Sequence, residues 1–299
     1  MSFHEDLEAR TKQAEEILQK SLPAKEEAYQ KTVMDAMHYS AMAGGKRLRP
    51  VLMKECFILF GGTGEIIEPF MAALEMIHNY SLVHDDLPCM DDDMMRRGQA
   101  STWAEYGEDM GVLAGDALMI YAFEVAAKAF KEVSDADDLK RVGRAIEILA
   151  SKTGIYGMIG GQTVDVELAG GPIPKNKLDF IYRLKTGALI EASMLIGAVL
   201  GGAAEEDCKI VESLAGKVGL AFQIQDDILD VTGDQEVLGK EAGSDEKNQK
   251  TTYVTLEGLE KAKKDVEALS VQAIEDLNKL PGNNEFLENL IRILIKRQK

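Results

Sequence analysis

Val83-His-Asp-Asp-Leu-Pro-Cys-Met-Asp-Asp-Asp-Met-Met-Arg-Arg-Gly98 closes a run, Glu65–Leu87, that is apolar almost all round when wound as a helix. Ile66, Ile67, Phe70, Met71, Leu74, Met76, Ile77, Leu82 and Val83 leave that helix no polar face, and a helix of this kind belongs inside a large core. It delivers Asp85, Asp86, Asp91, Asp92 and Asp93 to the edge of an interior space, where unpaired charge is costly. Hard oxygen donors at that density point to a hard divalent cation, Mg²⁺ bridged to a phosphorylated ligand. A solvated acidic loop is the plainer reading of one such run taken alone.

A second acidic run changes that reading. Gln223-Ile-Gln-Asp226-Asp227-Ile-Leu-Asp230 again ends an apolar stretch. Asp226 and Asp230 are four apart and share a helical face with Gln223. Like charges so placed destabilise a helix unless a cation lies between them. Two clusters on two buried helices imply one site holding metal ions between facing walls.

Asp85-Asp86-x4-Asp91, then Arg96-Arg97-Gly98, then Asp226-Asp227-x2-Asp230 closely resemble the short-chain trans-prenyl diphosphate synthases. Farnesyl diphosphate synthases of the bacterial type are the nearest match, with geranylgeranyl diphosphate synthases next. The resemblance runs from Gly44-Gly-Lys-Arg-Leu-Arg-Pro50 to Lys250-Thr-Thr-Tyr253. It implies Mg²⁺, three ions, held by Asp85, Asp91 and Asp226. It implies head-to-tail condensation of isopentenyl diphosphate with an allylic diphosphate, and a homodimer.

The basic residues fit that chemistry. Gly44-Gly45 stops one helix and Pro50 opens the next; the intervening Lys46, Arg47 and Arg49 form a capping loop or a diphosphate grip, Arg offering bidentate contacts and Lys a point charge. The resemblance assigns Lys46 and Arg49 to isopentenyl diphosphate. His78 lies two turns before Asp85 on the same face and goes, by resemblance, to that substrate too. So does Arg97, while Arg96 faces the allylic diphosphate. Leu178, Ile181, Tyr182, Lys185 and Leu189 fall on one stripe, so Lys185 interrupts an apolar face. A lysine that snorkels would sit at the edge of such a stripe, and a buried cation facing an anion is the sharper reading. The resemblance gives Lys185, Thr186, Gln223, Lys240 and Lys250 to the allylic site, with Thr186 and Gln223 turning oxygen atoms to the developing cation. The catalytic set is then Asp85, Asp91, Arg96, Lys185 and Asp226. Gly160-Gly161-Gln162-Thr-Val-Asp165 resembles a stretch lining the family's cavity. Tyr80 and Ser81, five and four residues before Asp85, meet the growing tail, and an aromatic residue there limits the product to C15 in farnesyl-type relatives.

Composition narrows the remaining classes. A net charge of −17 over 299 residues argues against binding nucleic acid or an anionic membrane. It also requires that an anionic substrate be held by cations and local basic clusters. The three cysteines have no paired spacing, which suits a reducing, cytoplasmic setting. The N-terminus lacks the basic and apolar regions of a signal peptide. The longest charge-free apolar run, Ala192–Ala204, is too short to span a bilayer, which needs about 20 residues. Periodicity of 3.6 residues runs through nearly every segment and strand alternation is absent. The expected architecture is all-α, a single domain over residues 1–299, with roughly ten or more helices around a deep central cavity. A terpene cyclase would lack the Gly-Gly-Lys-x-x-Arg grip, a non-catalytic partner subunit would have lost aspartates, and the twelve-residue loop of an EF-hand is missing.

Overall fold

Two helices that are buried on nearly every side organise the rest. In the computed structural model, which describes residues 2–24, 26–232 and 251–296, they are α4 (Glu68–Asp85) and α10 (Ala188–Gly201). Around them stand α1 (Phe3–Ser21), α2 (Lys31–Ala41), α3 (Leu48–Leu59), α5 (Thr102–Tyr106), α6 (Glu108–Ala127), α7 (Ala136–Thr153), α8 (Met158–Glu167), α9 (Lys175–Ile181) and α11 (Glu205–Thr232). After residue 250 come α12 (Tyr253–Glu257), α13 (Leu259–Leu277) and α14 (Glu285–Lys296). The all-α expectation holds. α4 packs most extensively on α6 and also touches α1, α2, α3 and α10, while α10 lies against α3, α7 and α11. Buried apolar side chains from Ala14 to Ile295 form one continuous cluster. Phe70, Met71, Leu74, Met76 and Ile77 are fully buried, each contributing about 1.5–3 kcal/mol.

A buried ion pair anchors α4. Glu75 accepts from Arg47 at 2.8 Å, and Arg47 also bonds the Ala41 carbonyl at 2.8 Å and Glu15 at 3.3 Å. Arg47 sits in the left-handed region, φ 47°, at the start of α3. It is a structural pin, which separates it from its neighbours Lys46 and Arg49.

Three local features depart from the periodicity reading. Helical periodicity continues from α7 into α8, but the helix breaks at Gly154 and Gly157. A methyl at Gly157 would overlap the Lys152 carbonyl, so the chain turns sharply there and starts α8 afresh. A small hairpin, β1 (Met95–Arg96) with β2 (Gln99–Ala100), follows the first acidic run. Its two-residue turn, Arg97-Gly98, has φ of 52° and 82°, the pattern of a type I′ turn that keeps strand twist. The third is a widened turn, Tyr182–Gly187, joining α9 to α10 with π-helical geometry. Such turns are rare and concentrate at functional sites.

Among the described residues two helices are, by length and composition, apolar enough to cross a membrane, Glu108–Lys131 and Lys175–Gly201. The second is 78% buried inside the protein, so its apolar surface is used in the core.

Candidate active site

The widened turn, α8 and the end of α4 meet around a cavity of about 780 Å³. Glycine lets the walls come this close. A Cβ on Gly161 would overlap the Lys185 backbone nitrogen, and one on Gly219 would lie 2.8 Å from the Gly187 Cα. α8 and α11 therefore both press directly on the turn that carries Lys185 and Thr186.

α4 ends at Asp85, and the backbone after it folds back. The Asp91 amide donates to the Asp85 carbonyl at 2.9 Å, and Asp92 donates to the Leu87 carbonyl at 3.1 Å with φ 54°. No helix continues past Pro88, so spacing along an ideal helix does not apply, and Asp91 bears on the Asp85 carboxylate. Asp86 is buried and accepts two bonds from the Arg96 Nε at 3.0 and 3.2 Å and another from its Nη2. Arg96 also reaches Asp93 at 3.2 Å. Asp86 thus fixes Arg96 at the edge of the site.

Asp85 lines the cavity and accepts from Gln162 Nε2 at 2.6 Å. Burial, opposed by Lys185 and reinforced by Asp91, pushes its carboxyl up to about 6. Lys185 Nζ lies 2.7 Å from Asp165. Burial pulls this ammonium down, but Asp165 and Asp85 outweigh it and the group is held above its ordinary value. Gln162 and Asp165 are the members of the Gly160–Asp165 stretch that touch the chemistry. Their identity was not legible from pattern, because the break at Gly157 that brings α8 here is not visible as periodicity.

Thr186, which also lines the cavity, donates its hydroxyl to Gln223 Oε1 at 2.9 Å. Asp226 is half-buried, one turn further along α11. Asp227 is buried and plays a different part. It accepts from Tyr182 Oη at 2.6 Å and from the Tyr253 amide at 2.8 Å. It ties the start of the widened turn to the chain that returns at residue 251. Tyr182→Phe is expected to remove about 1–3 kcal/mol of stability, read as a lowered melting temperature. An unchanged melt would show that this tie carries no weight.

A second basic group stands where α3 and the hairpin approach α4. Arg97 donates to the Gly44 carbonyl and lies flat on Gly45. Arg49 and His78 line the cavity. Burial, then Arg49, Arg97, Arg47 and Arg96, hold His78 well below its ordinary range, so it is neutral. Burial also lowers Arg49 and Arg97. Their cations are under-compensated, and an anion placed among them would relieve that. Lys46 is exposed at the rim. Lys240 and Lys250 lie outside the described residues.

The donors suit a hydrated Mg²⁺. Asp85 and Asp91 offer hard oxygens, and Gln162 Oε1 is a buried acceptor with no partner among the described residues. Among the described residues no three His, Cys, Asp or Glu side chains converge tightly enough to hold an ion unaided. Mg²⁺ completes its shell with water and substrate phosphates rather than protein alone, so this arrangement fits an ion that arrives with a diphosphate. A cation needs the Asp85 carboxylate ionised, and protons compete below pH 6. Apparent Mg²⁺ affinity is expected to weaken about tenfold per pH unit below that point. Mg²⁺ titrations of kcat/KM between about pH 5 and pH 7 test this, and constant affinity would remove Asp85 from the ligand set. The same shift has a stability counterpart. The folded state binds the extra proton, so cation-free protein loses stability as pH rises from the ordinary carboxylate range through about 6.

Comparison with known proteins gives the family. Escherichia coli (strain K12) farnesyl diphosphate synthase is 41% identical over 305 aligned positions covering all of both chains. Catharanthus roseus chloroplastic geranylgeranyl pyrophosphate synthase is 45% identical over 82% of this chain and 68% of its own. The crystal structure of Helicobacter pylori geranyltransferase complexed with magnesium and isoprenyl diphosphate superposes with a TM-score of 0.82. It is 31% identical and covers 99% of this chain and 97% of that one. The polyprenyl synthetase family matches residues 30–289. The chain belongs to that family, and its activity is that of a trans-prenyl diphosphate synthase.

Proposed function

We propose that this prenyltransferase is a farnesyl diphosphate synthase, adding isopentenyl diphosphate to dimethylallyl and then geranyl diphosphate and stopping at C15. The observation that carries the chain length is Tyr80. Its ring is 5% exposed and lines the cavity beside Asp85, and its hydroxyl has no partner among the described residues. A tail leaving the diphosphate end along α4 meets this ring and Ser81, whose hydroxyl is turned back to the His78 carbonyl at 2.9 Å.

Asp85, Asp91 and Asp226 would hold three Mg²⁺ ions, which when bound neutralise the diphosphate and ease its departure. The residues around them bind and orient. Lys185 and Arg96 present cations to the allylic diphosphate, and their counter-ions Asp165 and Asp86 fix their positions before substrate arrives. Lys240 and Lys250 join this group by resemblance. Lys46, Arg49, His78 and Arg97 take isopentenyl diphosphate. Neutral His78 offers a hydrogen bond without adding charge. Thr186 and Gln223 direct oxygen lone pairs towards the carbon that becomes electron-poor. By resemblance, the proton lost after carbon–carbon bond formation goes to the released diphosphate. The enzyme works as a cytoplasmic homodimer of one-domain subunits. Leu113 and Ile120, seven apart on α6 and 49% and 66% exposed, give a second copy an apolar stripe to cover.

Incubation with isopentenyl diphosphate, Mg²⁺ and each allylic diphosphate in turn tests the reading. Farnesyl diphosphate is the expected end product. Mainly C20 product would transfer the chain to the geranylgeranyl class, and no elongation at all would overturn the reading.

A further inference from the structure

Tyr80 does not stand alone in the cavity wall. The His84 imidazole, one turn on, meets its ring edge-on, with centroids 5.8 Å apart at 74°. His84 is seated on α6. Its Nε2 is 3.1 Å from the Val112 carbonyl and 3.9 Å from Asp116. The seat exists because residue 115 is glycine, since a methyl there would overlap the imidazole. Tyr80, His84, Val112, Asp116 and Met119 line the same cavity.

We propose that Gly115 is a specificity-determining residue for product length, acting through His84 on Tyr80. This rests on the prenyl-elongation reading above. By admitting the imidazole against α6, Gly115 keeps it out of the tail's path and lets it brace the Tyr80 ring from behind. His84 is then a positioning residue, and the floor is a stack reaching from α4 to the α6 backbone. Side-chain packing of this density transmits a displacement of one methyl group.

The two ends of the stack have opposite effects. In Gly115→Ala the imidazole must leave its seat, and the open volume beside it is the cavity. The expected result is a shorter product, with geranyl diphosphate accumulating. Elongation of geranyl diphosphate should slow about tenfold, the scale of discrimination set by a methylene in an apolar pocket, while condensation with dimethylallyl diphosphate is retained. In His84→Ala the Tyr80 ring loses its brace and falls towards α6, and the product distribution moves towards C20. Melting curves establish that each variant is folded. If Gly115→Ala does not fold, His84→Ala carries the test alone.

A merely structural role would lower stability or kcat with both substrates and leave the product ratio alone. An unchanged or lengthened product from Gly115→Ala overturns the proposal, as does an unchanged or shortened one from His84→Ala. Failure of the wild-type enzyme to elongate would instead strike the functional reading, so the two failures are told apart by the wild-type control.

Discussion

Asp226→Ala is expected to lower kcat by about a thousandfold, close to 4 kcal/mol of transition-state stabilisation, with little change in melting temperature. The division of labour within Asp226-Asp227-x2-Asp230 explains why the two effects separate. Asp227 is buried and holds the fold through Tyr182 and the Tyr253 amide. Asp226 is half-buried on α11, one turn past Gln223, which bonds Thr186 across the site. In the proposed scheme, losing Asp226 removes a metal ligand without opening the core. Excess chelator should abolish turnover of the wild-type enzyme for the same reason. Steady-state kinetics at saturating substrates, paired with thermal melts, gives both readouts. Full turnover in the variant, or in chelator, would discard the metal-dependent scheme.

Tyr80→Ala is expected to change the product itself, from C15 to C20 or longer. The ring lies at the wall of a cavity far larger than a five-carbon unit, and its truncation removes the side chain a C15 tail would touch. Its hydroxyl is buried with no partner among the described residues, and burial together with Asp85 pushes it up to about 12, so it stays neutral. The ring acts by volume, and Tyr80→Phe should keep the C15 product. Chromatography of the dephosphorylated products separates the outcomes. A C15 product from Tyr80→Ala would mean that another residue closes the pocket.

Much of this was written in the local sequence because it depends on local chemistry. Helical periodicity, the all-round apolar α4 and the two aspartate runs need no knowledge of what lies across the core. The basic loop before Pro50 was legible too, but not which of its cations is structural. Arg47 is fixed by Glu75, 28 residues away, and nothing near Arg47 in sequence announces that partner. The same holds for Asp86, whose partner Arg96 reaches it through a hairpin two residues long in each strand. Asp165 and Gln162 depended on a chain break at Gly157 and on a glycine contact with a neighbouring segment. Pairings between distant elements set these roles, and periodicity carries no information about them. His78, Tyr80, Ser81 and Asp85 share one cavity wall because they lie along one helix. The relation of Asp85 to Asp91 was set by the backbone turn after it.

The widened turn at Tyr182–Gly187 makes this enzyme sensitive to counting. An α-helix advances about 100° per residue. A π-helical turn holds more residues than an α-helical one and so absorbs an extra residue locally. Removing one residue would restore regular winding with α9 and α10 still in phase, but the side chains within the turn would shift by up to that angle, carrying Lys185 and Thr186 away from the cavity. No substitution elsewhere repairs a change of register. Chain length across these six positions is therefore under tighter constraint than the identity of most side chains along them. Engineering that shuffles segments between relatives should cut on either side of the turn and never within it.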